Sequence, residues 1–212
     1  MRTTCRRWTG LPELPITSAS VPSRGCWGGV FAALCLVLQV WPGASQALRF
    51  ERAVFSQGAL WQPWTAQWVH LNWPHAVVNA AAAVLLCWLL RPWMPVPRQL
   101  LALLGGWLGV AVLLVFDAQC AYYAGASGAL HGVLAGAAVH ALAQAKPMRY
   151  VGAGLALVLV LKLVWQASVQ SSAPGWLDIP VYHPAHMAGA AGGALVVAVC
   201  LSVQRLRATA LQ

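Results

Sequence analysis

The stretch that decides the reading is "YYAGASGALHGVLAG", Tyr122–Gly136. It sets Ser127 and His131 among glycines and alanines, with no charged side chain beside them. Gly128, Gly132 and Gly136 recur every four residues, so on a helix they share one face. Faces of small residues let helix backbones approach closely inside a bilayer. A second ladder, Gly189 and Gly193, follows in "HPAHMAGAAGG". Ser127 therefore reads in two ways, as a small packing residue or as a chemical group.

The surrounding composition fixes the solvent. Of 212 residues, 60% are hydrophobic and 8% are charged, whereas soluble domains carry about 25% charged residues. The chain reads as an all-α membrane protein. A bilayer-crossing helix needs about 20 mainly apolar residues, and six segments qualify: 26–42, 68–90, 99–116, 126–144, 150–168 and 183–204. The predicted layout is an N-terminal segment 1–25, a six-helix membrane domain 26–204 and a short tail 205–212. With six alternating spans, ten of the 13 basic residues fall on one side: Arg2, Arg6, Arg7, Arg24, Arg91, Arg98, Lys146, Arg149, Arg205 and Arg207. The positive-inside rule makes that side, and both termini, cytoplasmic. The net charge of +9 is then explained by topology and contact with anionic lipid, and no nucleic-acid partner is needed. Lys162, in the outer half of the fifth span, is expected to snorkel outward. The run "GVFAALCLVLQVW" followed by "SQA" has features of a secretory signal. About 25 residues precede it, long for such a leader, so the first span is expected to be retained. The six cysteines show no CxxC or paired spacing. They read as small apolar residues, not as a disulfide framework or zinc ribbon.

Polar groups inside spans are costly and are functional candidates by default. Two clusters accompany the opening stretch. His70, His75 and Asn79 lie at the outer start of the second span, with His75 and Asn79 on one helical face. His183 and His186 lie at the outer start of the sixth. Spans two, four and six all run from outside inward, so these residues share a depth. If the glycine ladders pack, Ser127 and His186 flank the seam. A serine within reach of a histidine is the minimal activated nucleophile. His75, Asn79 and the Ser127 backbone N–H could then hold an oxyanion. His140, near the inner end of its span, reads as structural. A metal site built on His183 and His186 with His70, His75 and His131 is the first rival, but there is no HExxH and no acidic residue inside a span. A transporter is the second, but intramembrane carboxylates and inverted repeats are lacking.

Three motifs in order, His70-x4-His75-x3-Asn79, Gly125-x-Ser127-Gly128 and Ala185-His186-x2-Gly189-x3-Gly193, resemble the rhomboid family of intramembrane serine proteases over about 55–200. The resemblance implies Ser127 as nucleophile, His186 as general base, and His75 and Asn79 as oxyanion-hole residues. It implies supporting roles for His70, Gly125 and Gly128, and helix packing by Gly132, Gly136, Gly189 and Gly193. It implies no cofactor, no metal and no third carboxylate. Many rhomboids carry a tyrosine four residues after the serine, where this chain has His131. "GASGALHG" (Gly125–Gly132) and "LWQPWTAQWVHLNWPHAVVN" (Leu60–Asn79) are similar to the rhombosortase branch. That branch implies transmembrane substrates with C-terminal Gly-Gly, an apolar span and basic residues. Cleavage would fall near the periplasmic face of a bacterial inner membrane. The alternative within the resemblance is a catalytically inactive rhomboid-like binding or quality-control protein. Three options stand for His131: a hydrogen bond to Ser127, stacking on His186, or packing alone. His186 is preferred as base with His131 as its support. The loop 169–182 is expected to act as a mobile gate, and 43–66 to be partly membrane-embedded with Trp61 and Trp64 at the interface.

Overall fold

A computed structural model describes residues 26–168 and 181–211. The segment 1–25 and nearly all of the expected gate at 169–182 lie outside the described residues. The first apolar run folds as α1, Trp27–Val40. It stops at Trp41-Pro42-Gly43 because proline cannot continue a helix and Gly43 turns the chain at φ 77°. The connector to the next long helix is a chain of short pieces: α2 (Ala44–Leu48), β1 (Phe50–Glu51), α3 (Arg52–Phe55) and α4 (Gln62–Thr65). The long helices follow as α5 (Trp73–Leu90), α6 (Val96–Phe116), α7 (Ser127–Leu142), α8 (Met148–Ser168) and α9 (His183–Thr209), with β2 (Tyr122–Tyr123) just before α7.

Each expected span has a helix at its core. Among the described residues, only α5, α6, α8 and α9 are long and apolar enough to cross a bilayer. The helices α1 and α7, with 14 and 16 residues, are shorter. The second span begins later than expected, because Asn72 caps α5 by accepting the His75 N–H at 2.9 Å and Pro74 fills the first turn. At the other end α9 runs to Thr209, past the expected boundary at residue 204. No glycine or proline stops it, and Arg205 and Arg207 are good helix formers. The all-α expectation also gains a small exception. Phe50 pairs with Tyr123 and Glu51 with Tyr122 in an antiparallel ladder.

That ladder ties the connector to the entry of α7, and Arg52 reinforces it. Its guanidinium donates to the carbonyls of Leu114 (2.5 Å), Asp117 (2.6 Å), Val115 (3.2 Å) and Cys120 (3.4 Å). These acceptors lie at and beyond the C-terminus of α6, where a cation is favoured. The Phe50 and Phe55 rings flank the same guanidinium at 4.8 and 5.6 Å.

The centre of the fold is a three-helix contact of α6, α7 and α9 made by glycine. Methyl groups built on Gly189 and Gly193 would overlap the backbones of Gly128 and Gly132. One on Gly106 would lie 2.8 Å from Ala129 O and 2.9 Å from Gly132 Cα. Gly105 and Gly109 press in the same way on Gly192 and Ala188. The α6 stripe is a third leg that the two ladders noticed in the sequence did not include. Around this contact, α1 packs on α5 through Gly28, and α8 lies on α7 where Gly152 meets the backbone of Ala138 and Leu142. One expectation about cysteine is corrected. Cys26 and Cys87 form a disulfide across 61 residues of sequence, with Cα atoms 6.1 Å apart, joining the start of α1 to the end of α5. No local spacing could show a pair so distant in sequence.

Candidate active site

The glycine contact sets the position of the site. Ser127 is the first residue of α7, where backbone N–H groups lack intrahelical acceptors. His186 lies in the first turn of α9. With the two backbones touching at Gly128 and Gly189, the Ser127 Oγ stands 2.8 Å from His186 Nε2. His186 is buried and Ser127 half-buried. This geometry lets the serine donate its hydrogen to the imidazole nitrogen.

The turn into Ser127 is held on several sides. Gly125 adopts φ +127°, a conformation that L side chains rarely take. A methyl there would lie 2.5 Å from His75 Cε1 and 2.7 Å from its Nε2, so the imidazole rests directly on the Gly125 backbone. The Gly125 N–H donates to Ala66 O at 2.9 Å, and Tyr123 Oη donates to Gly125 O at 2.9 Å. No motif in the sequence marks Tyr123.

His75 is thus beside the serine turn. His70 is fully buried and packs edge-on against His75, with ring centroids 4.9 Å apart and planes at 86°. Asn79 is buried one turn deeper along α5, on the His75 side, and its Nδ2 donates to His75 O at 3.0 Å. An amide carries a second hydrogen, which that bond leaves for another acceptor. His183 meets His186 edge-on, with centroids 5.9 Å apart. His140 sits far along α7, with Nε2 3.0 Å from Trp93 O and Nδ1 2.9 Å from Arg98. Among the described residues, no group of three or more His, Cys, Asp or Glu side chains could hold a metal ion.

His131 combines two of its three options. Its ring stacks on His186, with centroids 4.2 Å apart and an interplanar angle of 14°. Its Nδ1 lies 2.6 Å from the Ser127 carbonyl, not the hydroxyl. Two neighbours on α8 were missed. Lys162 Nζ lies 2.6 Å from His131 Nε2, so it turns toward the site and does not snorkel outward. Gln166 Oε1 lies 3.1 Å from His186 Nδ1. The signal for both was available: polar residues four apart on an apolar span share a face.

The rhomboid domain family model matches residues 57–203, well over half of the chain. This chain belongs to the rhomboid family. The match runs from within the connector through α5, α6, α7, α8 and most of α9, and so covers every residue of this candidate site. None of the curated proteins compared matches this rhomboid. Its family is one of intramembrane proteases, and its apolar helices make it a multi-pass membrane protein.

Proposed function

We propose that this rhomboid is an intramembrane serine endopeptidase of the rhombosortase branch, with Ser127 and His186 as its catalytic dyad. The observation that carries the reading is the 2.8 Å approach of Ser127 Oγ to His186 Nε2 at a buried helix seam. In the proposed mechanism, Ser127 Oγ attacks the scissile carbonyl carbon and passes its proton to His186 Nε2. The oxyanion is held by the Ser127 backbone N–H at the start of α7, by the His75 imidazole and by the Asn79 amide. His186 then gives the proton to the leaving amine, and the peptide bond breaks to an acyl-enzyme. Water attacks the ester while His186 takes its proton, and Ser127 Oγ leaves protonated by that same histidine.

The proposed substrates are transmembrane proteins ending in Gly-Gly, an apolar run and basic residues. "GASGALHG", with His131 in place of the usual tyrosine, and the Leu60–Asn79 stretch support the branch. We place the protein in a bacterial inner membrane with six spans, both termini cytoplasmic and Ser127 toward the periplasm, on the distribution of arginine and lysine. The test is turnover of a Gly-Gly-tailed membrane substrate by purified protein in detergent or liposomes. Wild type cleaves, and Ser127→Ala does not while keeping its melting temperature. Cleavage by Ser127→Ala at the wild-type rate sinks the dyad. Absence of cleavage by wild type favours the inactive binding protein.

A further inference from the structure

A histidine that serves as general base must present one particular nitrogen. His186 Nε2 can accept the Ser127 hydrogen only if Nε2 is bare and the ring proton sits on Nδ1. In a neutral imidazole the tautomer is set by whatever the other nitrogen bonds to. In serine triads that partner is a carboxylate. Here the atom next to His186 Nδ1 is Gln166 Oε1, 3.1 Å away. A carboxamide oxygen can only accept, so it calls for Nδ1–H.

The neighbouring ring follows the same logic. Lys162 Nζ, a donor, faces His131 Nε2 at 2.6 Å, and the Ser127 carbonyl, an acceptor, faces His131 Nδ1 at 2.6 Å. One tautomer satisfies both contacts, with Nε2 bare and Nδ1–H. His131 is then fixed as a flat support under His186 at 4.2 Å. Lys162 and Gln166 are four residues apart, on one face of α8. Leu161, Val164 and Trp165 around them are exposed apolar surface, while Leu159 is buried. Two polar residues on a mainly apolar stretch both terminate on the imidazoles of the site.

We infer that Gln166 is a positioning residue for the general base: its Oε1 accepts the Nδ1 proton of His186 and holds the ring in the tautomer that frees Nε2 for Ser127. When Nε2 takes the serine proton, Nδ1 keeps its own, and the imidazolium remains bonded to the same oxygen. No charge moves onto Gln166. The inference rests on the protease reading for its effect on turnover, while the tautomer itself can be read without turnover.

The test compares full-length wild type with Gln166→Leu, which removes the acceptor at similar size, and Gln166→Glu, which keeps an oxygen there. For Gln166→Leu, kcat should fall about 10- to 100-fold, by analogy with the loss of orienting partners from metal-ligating histidines. KM should stay within about twofold and the melting temperature close to wild type, since only orientation is lost. Gln166→Glu should recover most of kcat. Unchanged kcat in Gln166→Leu, a fall in Gln166→Glu as deep as in Gln166→Leu, or a change in KM alone overturns the inference. Nitrogen NMR of labelled histidine supplies the second reading. His186 should show the Nδ1–H form in wild type and a tautomer mixture in Gln166→Leu. An Nε2–H form in wild type overturns the inference whether or not the protein cleaves. An Nδ1–H form in a protein that never cleaves upholds the Gln166 bond and sinks the protease reading instead.

Discussion

Gly132→Ala tests whether the glycine contact sets the chemistry. A methyl on Gly132 would lie 2.5 Å from Gly106 Cα and 2.8 Å from Gly189 O, so it is caught between α6 and α9. Carbon atoms rest at about 3.5–4.0 Å, and relief therefore needs about 1 Å of separation. Both obstacles are backbone, and no side chain can rotate out of the way. Gly132 lies just over one turn along α7 from Ser127, and Gly189 just under one turn along α9 from His186. A 1 Å parting of these helices carries the 2.8 Å Ser127–His186 approach past the outer limit of a hydrogen bond, about 3.5 Å. Misplacement on that scale costs about 100-fold in rate, and overpacking costs about 1–3 kcal/mol of stability. The assay is kcat on a membrane substrate together with thermal unfolding in detergent. Gly154→Ala on α8 is the control, because a methyl there meets nothing within 4 Å. If Gly132→Ala keeps kcat within about threefold of wild type, the seam does not set the distance and the reasoning fails.

Two further outcomes follow from the end of the bundle that carries Ser127. Arg52→Lys should lower the melting temperature, because an ammonium cannot fork across the carbonyls of Leu114, Val115, Asp117 and Cys120; unfolding at the wild-type temperature would show the fork to be idle. Tyr182 donates to the Asp117 carboxylate just before α9, and that bond, with the Gln119 N–H, holds the Asp117 carboxyl below its usual range. A group whose folded pKa is lowered contributes stability above its unfolded value, about 4, and loses it as pH falls through the folded value. Tyr182→Phe removes the largest cause and brings the folded pKa back toward the unfolded one, so the variant should be less stable than wild type at pH 6, with the deficit shrinking as pH falls toward 3; superimposable stability profiles between pH 6 and 3 would contradict this.

Much of the candidate site was legible because its residues form short-range patterns. The spacing of His75 and Asn79 on one helical turn, the glycine repeats and the Ser127 motif are local patterns, and local patterns survive in a linear text. The apolar helices were legible because bilayer thickness is a one-dimensional quantity, although among the described residues only α5, α6, α8 and α9 are long and apolar enough to cross. What stayed hidden was which face of each greasy helix turns inward. Beyond Arg98 and Gln99 every face of α6 is apolar or small, so Gly105, Gly106 and Gly109 read as filler until the fold placed them against α7 and α9. Lys162 was assigned to the interface by a rule about length and charge, although its four-residue spacing from Gln166 carried the better clue. The Cys26–Cys87 link and the two-residue ladder of Phe50–Glu51 with Tyr122–Tyr123 depend on contacts distant in sequence, for which the chain has no local mark.

The seam of α7 and α9 also bears on how such a protein can change. Where side chains separate two helices, a substitution can be absorbed by a neighbour adopting another rotamer. Between Gly128 and Gly189, and between Gly132 and Gly193, there is only main chain. The spacing of serine and histidine is then a property of the polypeptide itself, with no adjustable part in it. Under the proposed activity, variation in accepted substrate must be accommodated in pieces that do not share this contact: the connector from Ala44 to Thr65 and the lipid-facing side of α8. The chemistry is fixed by having nothing to adjust, and the neighbouring elements are free to diverge around it.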